Sequence, residues 1–238
     1  YDLALSNMPI INSNVMITNL EVWVTNRSGV TQNVRNVLAF QDLGEQLSNV
    51  HNTTNVYAGS LNTPYPDNRN NSLGPELLVT DFPNIRSVSQ ITSQLNGTGY
   101  EQAVDYEKIE NAKKLTSSEY SFDSRLGFIS LNQALNSDEV LAVSFQYTIN
   151  GIPYQVGELS TDVASPDALI LKLLKSTTVD INLPIWRLLM KNVYALGAYQ
   201  VNKDDFDLQI FYQDDESGTP LPFIPEEGLS GELLIQTL

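Results

Sequence analysis

Between Ser137 and Ser160 the chain reads SDEVLAVSFQYTINGIPYQVGELS. Leu141, Val143, Phe145, Tyr147 and Ile149 alternate with Ala142, Ser144, Gln146 and Thr148, the period of two of a half-buried strand. Asn150-Gly151 follows, two residues that tolerate positive φ and form the preferred core of a type I′ turn. A two-residue loop sets the register: Ile149 opposite Ile152, Tyr147 opposite Tyr154, Phe145 opposite Val156, all on one face. Pro153 adds a condition. It falls at a non-hydrogen-bonded position, and its missing N–H faces away from the partner strand. The second strand is therefore expected to be an edge near the turn, or to leave the sheet there. Tyr147, Ile149, Ile152, Pro153 and Tyr154 form the candidate interaction edge.

Working outward, residues 17–25 (ITNLEVWVT) predict a strand with Ile17, Leu20, Val22 and Val24 as its apolar positions and Trp23 on the other face. NRSG reads as a turn and Val34–Phe40 as a second strand, so the two are expected to pair as a hairpin. Residues 44–75 are a long polar loop. Ile85, Val88, Ile91 and Leu95 recur at helical spacing, with Asn84 as N-cap and Gly97 as stop. Residues 101–116 predict another helix: Val104, Ile109, Ala112 and Leu115 share a face, acids crowd the start, and Lys113-Lys114 close it. Tyr120/Phe122 and Phe128/Ile129 predict short strands around a bend at Arg125-Leu126-Gly127. ALILKLLKS fits a buried strand or a short helix equally. NLPIWRLLMKNVYALG predicts a helix capped by Asn182, with Pro184 in its first turn, Trp186, Leu189, Met190 and Val193 on one face, and Gly197 ending it. Phe206–Tyr212 alternates as a last strand. The expected class is α+β, predominantly antiparallel β and sandwich-like, with about three helices. The chain is read as one soluble domain cut from a longer protein, with 1–80 and 81–238 as alternative subdomains.

Composition bounds the chemistry. The 238 residues carry a net charge of −15, which repels phosphate backbones and anionic lipid alike and argues against nucleic-acid binding. There are no cysteines, so disulfides, thiolate metal sites and thiol catalysis are excluded. No stretch approaches the roughly 20 apolar residues of a membrane helix. The one histidine, His51, lies in a polar loop without a nucleophile-elbow sequence, so an exposed loop residue outweighs a catalytic base. Asp42/Glu45, Asp138/Glu139 and Asp204/Asp205/Asp207 could each be drawn as an acid–base pair, but a solvated acidic surface accounts for them. Asp67, Asn68, Asn70 and Asn71 offer oxygen ligands for calcium without EF-hand spacing. Sequons at Asn26, Asn52, Asn71 and Asn96 are expected by chance in so Asn-rich a chain. Trp23 and Trp186 invite a sugar platform, against which core packing is the stronger reading. No catalytic, cofactor or metal residue is assigned.

The blocks LEVWVTNRSG…VRNVLAFQDLGE, LGFISLNQALNSDEVLAVSFQYTINGIPYQVGE, LKLLKS, PIWRLLMKNVYALGAYQV and DFDLQIFY, in this order over residues 17–212, resemble the SprA/Sov family. That family is the outer-membrane translocon of the Bacteroidetes type IX secretion system, a very large β-barrel with soluble segments inserted. The resemblance implies a non-catalytic soluble segment that supports export of folded proteins to the cell surface and gliding motility. It implies the other segments of the translocon, its associated secretion proteins and secreted cargo as partners, and an outer-membrane-associated location facing periplasm or cell surface. The alternatives are a cell-surface carbohydrate-binding or adhesin module and, less well supported, a glycoside hydrolase fragment.

Overall fold

A computed structural model describes Ala4 and residues 12–190, 202, 204, 207, 209–213, 218–225 and 233–234. The chain divides into two compact units, Tyr1–Leu189 and Met190–Leu238. Strands from before and after residue 80 share one sheet in the first unit.

That sheet contains β1 (Val15–Val24), β2 (Val34–Phe40), β3 (Tyr106–Lys114), β6 (Leu141–Ile149), β7 (Ile152–Val156) and β8 (Leu169–Lys175). The hydrogen-bonded order is β1-β3-β2-β8-β6-β7, and β1 also pairs with β6 along its length. Five strands thus close on themselves. The molecule is mostly β and mostly antiparallel, as expected, but it is a closed five-stranded barrel rather than a sandwich. The hairpin register is as read: Ile149 opposite Ile152, Tyr147 opposite Tyr154, Phe145 opposite Val156. Asn150 and Gly151 take φ of 50° and 81°, the two positive values a type I′ turn needs. One edge of β6 is taken by β1. The other is shared: β8 pairs with Leu141–Val143 and β7 with Phe145–Ile149.

The barrel buries side chains on both faces of its central strands. Trp23, Val37, Ala39, Ile109, Ala142 and Leu171 come from all five strands and form the inner core, joined by Leu183 and Ile185. Leu38, Phe40 and Ile170 face outward on the same strands. The excursion between β2 and β3 covers them with Leu43, Leu73, Leu78, Ile85, Ile91 and Leu95. This double burial explains why ALILKLL shows no periodicity. It is β8, a strand apolar on both sides and parallel to β2.

Several expectations are corrected. β1 and β2 do not form a hairpin; β3 lies between them. Residues 101–116 are not a helix, since Tyr106–Lys114 is strand β3. The helix-like spacing comes from a bulge: Val37 pairs with Ile109 and Arg35 with Ala112, so two residues of β3 stand opposite Asn36 alone. Ile109 and Ala112 therefore face the same core three positions apart. Of the expected helix from Ile85, only α2 (Ile91–Leu95) forms. The residues before it make successive turns in which Ser87 N–H donates to Asn84 O and Gln90 N–H to Ser87 O. Gly97, at φ 78°, does end it. A helix absent from the reading, α1 (Pro75–Asp81), starts on proline in its first turn. Its entry packs so closely that a Cβ on Gly74 would lie 1.7 Å from Asn68 O.

The strands β4 (Tyr120–Phe122) and β5 (Ile129–Leu131) pair around the expected bend, where Asp123 Oδ1 accepts the N–H groups of Arg125 and Leu126. The helix expected from Asn182 is a single 3-10 stretch, Pro184–Leu188, ending on Leu189 in extended conformation. It buries Ile185 and Leu183 rather than the face through Trp186. Val193 and Gly197 lie outside the described residues. In the second unit, β9 (Tyr212–Gln213) pairs with β10 (Pro220–Leu221). Within the expected strand Phe206–Tyr212, Asp207 and residues 209–211 are not strand, and Phe206 and Leu208 lie outside the described residues.

Candidate functional site

The proposed edge divides into a buried and an exposed part. Tyr147 (4% exposed) and Ile149 (7%) are buried. Tyr147 stacks on Tyr154 at 5.4 Å, and Tyr154 meets Tyr65 edge-on at 5.7 Å. The Tyr147 hydroxyl donates to Pro66 O at 2.6 Å. Burial, then the charge of Asp67, push its phenol far above the ordinary tyrosine range. The aromatic face of the hairpin is therefore the floor under the polar loop, not an open platform. Ile152 (57%) and Pro153 at the tip are exposed, and β7 ends the sheet order. Beyond Tyr154 the free edge is already used: Asn68 N–H donates to Gln155 O at 2.8 Å, and Gly157 N–H donates to Asn68 Oδ1 at 2.7 Å.

Of the residues considered for chemistry, those of the first unit are mostly engaged in its frame, whereas Asp204 and Asp207 lie in the second unit and Asp205 lies outside the described residues. Asp42 accepts the backbone N–H groups of His51 and Asn52 at 3.0 and 2.9 Å, and His51 is exposed. Glu45 pairs with buried Lys172, which also donates to Gln41 O. Asp138 meets Arg27 at 2.7 Å, and Glu139 accepts the N–H of Asn136 at 2.6 Å. The 67–71 run is a staple. Asp67 pairs with Arg69 at 2.9 Å, Asn70 Nδ2 donates to the carbonyls of Gly44 and Tyr65, and Asn71 Nδ2 donates to those of Asp42 and Glu45. Asn71, one of the four sequons, is fully buried. Among the described residues no group of three or more His, Asp or Glu is placed to hold a metal ion, and no helix is long and apolar enough to cross a membrane. Trp23 is core; Trp186 is half-buried.

Two clefts open on the loop layer. One, of about 230 Å³, lies where Asn68, Arg69 and Glu76 meet Gln155, Glu158 and Asp162. Glu158, one of its lining residues, is buried and held in an ion pair. Arg86 grips Glu158 through both guanidinium nitrogens at 2.6 and 2.9 Å, and Ile170 N–H donates to the same carboxylate at 2.9 Å. The second, of about 320 Å³, is lined by Tyr57, Asp81, Phe82 and Tyr100 with small polar neighbours. Sequence reading missed it, because these rings come from separate irregular segments that carry no periodic signal.

Fold and surfaces together define a small closed β-barrel wrapped by an ordered polar loop layer, several of whose charged groups are engaged in internal bonds. No protein-family model and no curated protein matches this chain.

Proposed function

We propose that this chain is a non-catalytic soluble segment of an outer-membrane type IX secretion translocon, supporting export of folded proteins to the cell surface and gliding motility. The observation that carries the reading is the ordered set of sequence blocks resembling that family. The first three blocks fall on β1, β2, β5–β7 and β8, while the last two begin at the 3-10 stretch and run largely outside the described residues, so much of what is distinctive in the sequence belongs to the barrel frame. A self-contained frame with both chain directions threaded through one closed sheet suits an insert within a larger polypeptide. The exposed hairpin tip at Ile152 and Pro153 is its contact point with neighbouring segments or associated secretion proteins.

The test is a pull-down from outer-membrane extracts with an epitope tag placed in this segment at its native locus. Recovery on a very large barrel polypeptide with secretion components supports the reading. Recovery on a small surface protein released by mild washing overturns it in favour of an adhesin or carbohydrate-binding module. A photo-crosslinker at Ile152 refines the partner assignment. Crosslinks confined to this chain itself would remove the hairpin tip as a contact.

A further inference from the structure

The rings of Tyr57, Phe82 and Tyr100 and the carboxylate of Asp81 line one cleft of about 320 Å³. We propose that this cleft is a receptor for an arginine or lysine side chain presented by a partner protein, an acidic aromatic pocket independent of the translocon reading. Aromatic faces attract a cation through their quadrupole, and a carboxylate at the same place adds charge. Tyr57 is 47% exposed, so its face is available. Its hydroxyl donates to Asp81 Oδ2 at 2.5 Å, which fixes ring and carboxylate relative to one another. The Tyr100 hydroxyl donates to Asn55 O at 2.9 Å. Both phenol protons are thus committed; Phe82 and Tyr100 pack partly against the core, and Tyr57 and Asp81 are the exposed ring and carboxylate on the cleft.

The electrostatics have one sign. Among the described residues, those lining the cleft include Asp81 but neither lysine nor arginine. Burial first, and then the charge of Asp105 with smaller effects from Asp42 and Asp81, push the Tyr100 phenol up to about 12, so carboxylates lie near this ring as a secondary influence. The chain as a whole carries a charge of −15, which steers basic partners toward it. A neutral sugar would use the stacking surface but gain nothing from this field.

The experiment titrates the protein with a fluorescently labelled Gly/Ser peptide carrying three arginines, and with the same peptide carrying citrulline instead. The arginine peptide is expected to bind, to weaken with added salt, and to lose affinity about tenfold on Asp81→Asn or Tyr57→Ala. Tyr57→Phe, which keeps the ring, is expected to retain binding. It also separates loss of the site from loss of the fold, as does an unchanged melting temperature of Asp81→Asn. Equal binding of the citrulline peptide, an equal effect from Asp138→Asn at an exposed acid that does not line the cleft, or displacement by a neutral maltooligosaccharide would each overturn the assignment.

Discussion

At the scale of single residues, the buried charges govern stability. Glu158 holds Arg86 and the Ile170 N–H together. Removing its carboxylate strands a guanidinium whose side chain is only 21% exposed. Glu158→Ala is expected to destabilise the fold by about 3 kcal/mol in urea titrations, with Glu158→Gln recovering part. A loss below about 0.5 kcal/mol would mean that the pair behaves as a surface bridge. The tyrosines set the alkaline limit. Tyr147 and Tyr100 have folded pKa values raised above the unfolded value, through burial first. Their contribution is fully present below about pH 10 and is lost as pH rises through the raised values. A phenolate absorbance titration should therefore show a late class among the eleven tyrosines, appearing together with unfolding. A single class titrating near pH 10 with the fold intact would refute this. Glu119, with Lys113 as its first partner and Thr116 as its second, is held down to about 2. Its small contribution is present above the usual glutamate range and fades only as pH falls toward that value.

At the scale of elements, what could be read depended on how local the determining physics is. The β6–β7 hairpin was legible because Asn150-Gly151 and the alternating pattern act within a few residues of each other. Gly151→Ala tests the turn: no atom lies within 4 Å of the new Cβ, so the expected loss of about 1–2 kcal/mol is purely conformational. A neutral effect would mean that the turn tolerates another geometry. β3 was not legible. Its bulge places Ile109 and Ala112 on one face, a spacing that imitates a helix, and Asn111 sits there at φ 51°. Asn111 N–H donates to Asn36 Oδ1 at 3.1 Å, a contact between neighbouring strands that no local pattern announces. Asn111→Gly is expected to be tolerated and Asn111→Val to lower thermal stability, because a β-branched side chain resists positive φ. The reverse order would remove the bulge argument. The cleft around Tyr57 escaped for a related reason: its residues meet only once the loop layer has wrapped the barrel.

At the scale of the whole molecule, closure is a long-range event. β1 and β6 bond residues 128 positions apart, as between Thr18 and Gln146, and that seam must form before the inner core around Trp23 is sealed. Refolding is therefore expected to be slow, in the range of milliseconds to seconds or longer. Stopped-flow fluorescence in a Trp186→Phe background, which leaves Trp23 as reporter, checks this. Recovery of the full Trp23 signal within a few tens of microseconds would contradict the topology argument. The expected sandwich and the observed barrel share β1, β2 and the β6–β7 hairpin, while β3 was expected as a helix. They differ in the insertion of β3 between β1 and β2 and in the return of β1 to β6, both made by pairing partners distant in the chain.

The shared edge of β6 has a mechanical consequence. Because β8 and β7 abut along the same side of that strand, with β1 clamped along the other, the hairpin arm and the barrel wall carry force separately. A pull applied at Ile152 peels β7 from its turn inward, pair by pair, while the nine-register ladder from Val15 to Val24 stays closed. The arm can yield and re-zip without breaching the wall behind it.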